Sequence, residues 1–205
     1  MKKLDRSFYN RDTLIVAREL LGKYIIHKTR GKKLIAKIVE TEAYKGAIDK
    51  AAHSYQNKRT PRTQVMFGPP GHAYVYLIYG MYLCMNIVTE EVDKPCAVLL
   101  RAVEPIEGLD EMAQLRFNKP YEKLQKSQRI NLTNGPGKLS MALNIRREEN
   151  GIDLCKDKLF ICEANTASNF QIGKGKRINI DYAEEAADYP WRFYIKDNPY
   201  LSVKE

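Results

Sequence analysis

Tyr74-Val75-Tyr76-Leu77-Ile78-Tyr79-Gly80-Met81-Tyr82 holds four of the chain's 13 tyrosines in nine residues. Its first half alternates as a strand does, and Gly80 then offers a sharp turn. Gly80-Met81 suits the centre of a two-residue hairpin loop with glycine first, the type II′ pattern. The expected hairpin carries Tyr79 and Tyr82 on either side of its tip. Alternation places Tyr74, Tyr76 and Ile78 on one face and Val75, Leu77 and Tyr79 on the other. Large rings displayed at a turn are poorly explained by folding alone, and on a basic protein they suggest contact with nucleobases.

Outward from this hairpin the pattern stays local. Asn10 or Asp12 can cap a helix that runs through Leu14, Ala17 and Leu20 and stops at Gly22. Tyr24-Ile25-Ile26, a turn at Arg30-Gly31-Lys32 and a long strand from Leu34 to Tyr44 follow. Residues 46–71 are polar and contain three prolines, so they read as a long loop, a feature that in compact domains is often functional. Further strands are expected over Ala73–Tyr79, Leu83–Thr89, Ala97–Val103, Leu159–Glu163, Arg177–Tyr182 and Arg192–Ile195. Helices are expected over Glu107–Phe117 and Leu139–Leu143. Hairpin-linked strands with helices grouped around them predict an α+β fold: a single domain over residues 1–205 with a mainly antiparallel curved sheet, flanking helices and a protruding hairpin.

The net charge is +9 and unevenly spread. Residues 1–62 hold 16 Lys/Arg against 6 Asp/Glu, and residues 116–147 hold 8 against 1. The stretch between them, which contains the hairpin, is acidic overall. Two basic blocks around an aromatic turn suit a phosphate backbone. Cys84, Cys96, Cys155 and Cys162 form no CxxC pair, and His27, His53 and His72 are scattered, so no metal site and no cofactor are expected. Met1–Asn10 has no apolar run behind its lysines, and no stretch approaches a membrane span. The expected setting is cytoplasmic, at the nucleoid if the source is prokaryotic, with no membrane and no obligate protein partner.

The strand Ile38-Val39-Glu40-Thr41-Glu42-Ala43-Tyr44 supplies chemistry. Glu40, Glu42 and Tyr44 share one of its faces. Two carboxylates and a ring are costly as core, although a solvated strand end would explain the acids equally well. A carboxylate can activate water or stabilise an oxocarbenium-like sugar. Aromatic walls can hold a base, and a projecting ring can fill the gap a base leaves in a duplex. Together these are the requirements for flipping a nucleotide and breaking its N-glycosidic bond.

At this point a resemblance becomes specific. Val39-Glu-Thr-Glu-Ala-Tyr44, Ala51-Ala-His-Ser54, Thr60-Pro-Arg62, the tyrosine hairpin, Cys84-Met-Asn86, Val98-Leu-Leu-Arg-Ala-Val-Glu-Pro105, Gly135-Pro136 with Lys138-Leu139, and Arg192-Phe-Tyr194 occur in order. The chain resembles the alkyladenine, or 3-methyladenine, DNA glycosylase family. The resemblance implies a monofunctional enzyme acting on double-stranded DNA that contains alkylated or deaminated purines, hypoxanthine among them, in base-excision repair. It implies Glu42 as the base that activates water, with Arg101 and the carbonyl of Ile178 holding that water and Arg101 also reaching a phosphate. Tyr44 and Tyr76 would enclose the flipped base, with His53 beside Tyr76, and Asn86 would crowd the amine of guanine. Tyr79 would be the wedge, supported by Met81 and Tyr82. Lys58, Thr60, Arg62 and Lys138 would contact the DNA backbone, and Glu40 would be a structural or partly solvated acid. The alternative from another class is a non-catalytic nucleic-acid-binding module that uses the tyrosines as a stacking platform. A carbohydrate hydrolase would explain the acids and rings but not the basic blocks.

Overall fold

The computed structural model describes residues 1–164 and 169–204. Two short helices open the chain, α1 (Arg6–Tyr9) and α2 (Thr13–Glu19). Asp12 rather than Asn10 caps α2, its carboxylate accepting from the N–H groups of Leu14 at 2.9 Å and Ile15 at 3.3 Å. Then come the strands β1 (Tyr24–Thr29) and β2 (Lys32–Tyr44), joined at Arg30-Gly31, where both residues have positive φ. The loop that follows makes three short 3-10 turns, Gly46–Ile48, Tyr55–Asn57 and Gln64–Phe67. Next are β3 (Ala73–Ile78), β4 (Tyr82–Thr89) and β5 (Cys96–Glu107). The helices α3 (Leu109–Phe117), α4 (Lys126–Ile130) and α5 (Pro136–Ala142) precede β6 (Leu159–Cys162), β7 (Ile172–Gly175) and β8 (Arg192–Ile195).

The eight strands among the described residues form one antiparallel sheet, in the order β3-β4-β5-β2-β1-β6, with β8 joining β2 to β7. The fold is α+β, as the sequence predicts. β2 is its axis. One edge of β2 pairs with β5 along most of its length, and the other pairs first with β1 and then, from Glu40 to Glu42, with β8. The register slips around Val39 and Glu40, a bulge that lets the strand change neighbours. Val39 and Ala43 face the main apolar core with Val16, Leu20, Leu100, Met112 and Leu139, while the Thr41 hydroxyl donates to the carbonyl of Ala17 on α2. Glu40, Glu42 and Tyr44 are thereby sent to the other face.

The tyrosine hairpin forms, one residue out of the expected register. Its turn centres on Tyr79 and Gly80, with φ of +51° and +71°, and the Met81 N–H returns to the carbonyl of Ile78 at 3.3 Å. A bulky residue at positive φ is uncommon. Here it fixes the Tyr79 ring at the tip, where the residue is 72% exposed.

Arg177–Tyr182 is not a strand. Asn179 turns to φ +59°, the alternation breaks, and Asp181–Asp188 continues in 3-10 turns. Its place beside β8 is taken by β7, whose two glycines gave no strand signal. A Cβ on Gly173 would lie 2.2 Å from the Tyr194 ring, so only glycine allows that ring its position. At Gly108, φ is +84°, which parts β5 from α3 and assigns Glu107 to the strand rather than the helix.

Candidate active site

The end of β2, the β3–β4 hairpin, the 46–67 loop and residues 178–182 converge on a cavity of about 420 Å³. Tyr44, His53, Tyr76, Asn86, Arg101 and Ile178 all line it. Tyr79, Tyr82 and Lys138 lie at its mouth and sides. Lys58, Thr60 and Arg62 line an adjoining depression that shares Ala52 and His53 with the first. Met81 stands exposed on the hairpin tip.

Glu42 lies directly behind this lining. It is fully buried, and its carboxylate takes the Tyr44 hydroxyl at 2.9 Å and the Ile178 N–H at 2.7 Å. The Arg101 Nη1 is 3.3 Å away. Burial pushes the Glu42 pKa above its ordinary 4.5, against the pull of Arg101, the Ile178 N–H and Tyr44, and with help from Glu40. A carboxyl so tuned accepts a proton more readily than a free glutamate, as a general base must.

Glu40 differs in its partners rather than in burial. No part of it is solvated, contrary to one of the two readings above: it too is fully buried. It is held by Arg192 Nη1 at 3.1 Å, by the Ser202 N–H at 2.7 Å and by the Ser202 hydroxyl at 2.9 Å. Arg101 stands between the two acids, with Nε 3.4 Å from Glu40. Burial alone would lower the Arg101 pKa, but Glu42 and Glu40 together raise it.

The aromatic walls are braced in turn. Tyr74 and Tyr76 stack with centroids 5.1 Å apart, and His53 meets Tyr76 edge-on at 4.7 Å. His53 Nδ1 shares a hydrogen bond with the Tyr74 hydroxyl at 3.0 Å, and the Arg62 guanidinium lies 5.0 Å from the Tyr76 ring centre. Burial, then Arg62, lower the His53 pKa from 6.5 to about 4. The imidazole is therefore neutral throughout the physiological range. Its ring proton shifts, followed by NMR, are expected to stay flat from about pH 8 down to about pH 5.5, one to two units above the lowered pKa. A midpoint near 6.5 would contradict this burial.

Tyr44 is backed by Arg177, whose guanidinium lies 4.8 Å from the ring centre. Arg177 is itself buried, held bidentately by Asp49 and bonded to the carbonyls of Ala43 and Ala186 at 3.0 Å each. This anchor sets the chain that presents the Ile178 N–H to Glu42.

At the opposite side, a Cβ on Gly137 would come 3.0 Å from the Tyr82 Cβ, so glycine lets the start of α5 pack against the hairpin. Lys138 Nζ donates to Asn131 Oδ1 at 3.0 Å and Asn134 Oδ1 at 2.8 Å. Burial and the nearby Arg116 lower its pKa. Arg59, a neighbour of the proposed backbone contacts, pairs with Asp93 and lies over Phe67. Sequence reasoning missed Arg177, Ser202, Arg116 and Tyr182. Tyr182 lines the cavity and is 69% exposed, and no pattern in the sequence marked it. Among the described residues no group of three or more His, Cys, Asp or Glu could hold a metal ion, and no helix is long and apolar enough to cross a membrane.

The cavity is thus walled by aromatic rings, with a fully buried acid behind its lining and an exposed ring on the neighbouring hairpin. The family model described as methylpurine-DNA glycosylase matches residues 7–199, and the chain belongs to that family, whose members are hydrolases of base-excision repair. Among its relatives, a protein of Alkaliphilus oremlandii is 62% identical over 202 residues, covering 98% of this chain and all of its own. One of Desulfitobacterium hafniense is 59% identical over the full length of both, and one of Clostridium novyi is 55% identical, likewise over the full length of both. All three carry the name "Putative 3-methyladenine DNA glycosylase".

Proposed function

We propose that this protein flips alkylated or deaminated purines out of duplex DNA and hydrolyses their N-glycosidic bond with a water activated by Glu42, leaving an abasic site. The observation that carries this reading is the place of Glu42: a fully buried carboxyl tied to Tyr44 and Ile178, both of which line the aromatic cavity. A module that only stacks bases gains nothing from a buried acid there.

In this reading Tyr44 and Tyr76 hold the extruded base, and Asn86 restricts the guanine edge. Arg101 and the carbonyl of Ile178 help hold the water. Purines alkylated at N3 or N7 carry positive charge and leave readily, whereas hypoxanthine and ethenoadenine leave only with protonation. Lys58, Thr60, Arg62 and Lys138 hold the backbone, and the site of action is the chromosome in the cytoplasm.

Tyr79 is the wedge, with Met81 and Tyr82 behind it. Flipping costs a few kcal/mol, and a ring that replaces the lost stacking offsets part of it. Because Tyr79 is 72% exposed, Tyr79→Ala is expected to leave the melting temperature unchanged. Affinity for a lesion duplex is expected to fall about tenfold or more, the scale of one lost aromatic stack. Unchanged affinity and excision rate would remove its role.

The reading is tested with a duplex carrying one hypoxanthine. Free hypoxanthine should be released, the strand should stay intact until alkali is added, and borohydride should trap no covalent adduct. An intact base, or a trapped adduct, would overturn it.

A further inference from the structure

The C-terminal segment reaches back beneath the cavity. Leu201 is buried in the main core, and this places Ser202 against Glu40 and Arg101. The Ser202 hydroxyl donates to Glu40 Oε1 at 2.9 Å and accepts from Arg101 Nε at 3.2 Å and Nη2 at 3.1 Å. A hydroxyl has one proton and two lone pairs, and all three are engaged here. The Ser202 N–H holds the second Glu40 oxygen at 2.7 Å. With Nε and Nη2 so occupied, Nη1 is the part of Arg101 that addresses Glu42, at 3.3 Å.

We propose that Ser202 and Glu40 are positioning residues for the reaction: they hold the Arg101 guanidinium in the one orientation that directs Nη1 at Glu42. This rests on the reading of Glu42 as the base that activates water. The alternative orientation is close at hand. The planar guanidinium fork matches a carboxylate bidentately. Without the Ser202 hydroxyl between them, Arg101 can close onto Glu40 with two parallel hydrogen bonds and swing Nη1 away from Glu42. A buried carboxylate flanked by two arginines is also a poor way to gain stability, since apolar residues of similar size often serve as well. A positioning role for Arg101 accounts for its presence here.

The test compares wild type, Ser202→Ala, Ser202→Thr and Glu42→Gln on a hypoxanthine duplex, measuring single-turnover base release and equilibrium affinity. Ser202→Ala is expected to slow release about tenfold, because small misplacements at a reacting centre are expensive in rate. Its affinity is expected to stay within about twofold of wild type, the pattern of a group that orients the reacting centre without adding to ground-state binding. Ser202→Thr keeps the hydroxyl and should restore the rate. Release by Ser202→Ala at the wild-type rate, with Glu42→Gln inactive, overturns the positioning role alone. Rate and affinity falling together without rescue by threonine mean a structural role and overturn it as well. Full activity of Glu42→Gln overturns the base assignment and this proposal with it.

Discussion

Glu42→Gln is expected to bind a lesion duplex as wild type does and to release its base at least about 100-fold more slowly, the lower range of what a general base contributes. Glutamine preserves the size of the side chain and an oxygen for the Ile178 N–H, so the cavity keeps its shape. What it loses is the basic carboxylate that, on the proposed mechanism, takes a proton from water. As the proposed base, Glu42 would work as the carboxylate, whose pKa is raised by burial above the ordinary 4.5. The rate of release should therefore fall as pH drops through that raised value, at a pH where a free glutamate is still ionised. The residual rate of the variant should lack this limb. Stability carries the opposite sign. A carboxyl with a raised pKa in the folded state favours folding when protonated, and that contribution is lost as pH rises through the folded-state value. At about pH 8 wild type buries a charge that Glu42→Gln does not, so the variant should melt higher, and the gap should narrow in acid. A melting temperature at or below that of wild type at about pH 8 would contradict the raised pKa.

Asp49→Ala is expected to cost about 3–5 kcal/mol of stability, the usual result of leaving a buried charge without its partner. Asp49 and Arg177 have no exposed side-chain surface at all. Asp49 also accepts from the N–H groups of Lys45 at 3.1 Å and Ala51 at 3.0 Å, so one side chain ties the end of β2, the 46–48 turn and the C-terminal segment together. Its loss should also reach the site, because Arg177 backs the Tyr44 ring and precedes Ile178. The contrast is Lys176–Asp188, one residue from Arg177 along the chain but more than two-thirds exposed on both sides. Asp188→Asn should cost at most about 1 kcal/mol. Urea unfolding of both variants checks this, and a loss under about 1 kcal/mol for Asp49→Ala would contradict the buried anchor.

The parts of the fold that were legible in the sequence are those set by neighbours along the chain. Alternation in β2, β3 and β4 and the glycines at residues 31 and 80 define both hairpins. The same alternation misleads over Arg177–Tyr182, where Asn179 leaves extended geometry and Arg177 turns inward to Asp49. The strand β7 was invisible because its glycines answer to a ring on β8, not to any local preference. In the site, shared strand faces brought Glu42, Tyr44 and Tyr76 into consideration. Spacing could not rank Glu40 against Glu42, and burial does not either. The difference lies in partners far along the chain: Glu40 meets Ser202, 162 positions away, whereas Glu42 meets Ile178 at the cavity, 136 away. Contacts of that range leave no periodicity to read.

Base flipping and bond breaking can be separated on one substrate. Ethenoadenine is fluorescent and changes its emission when it leaves the base stack, so a stopped-flow record on a duplex carrying it reports extrusion, while quenched samples report released base. Wild type should show the emission change followed by release. Glu42→Gln should show the same emission change and no release over the same period. Release by Glu42→Gln at the wild-type rate, or binding by wild type with no emission change, would contradict a flipped purine hydrolysed through Glu42.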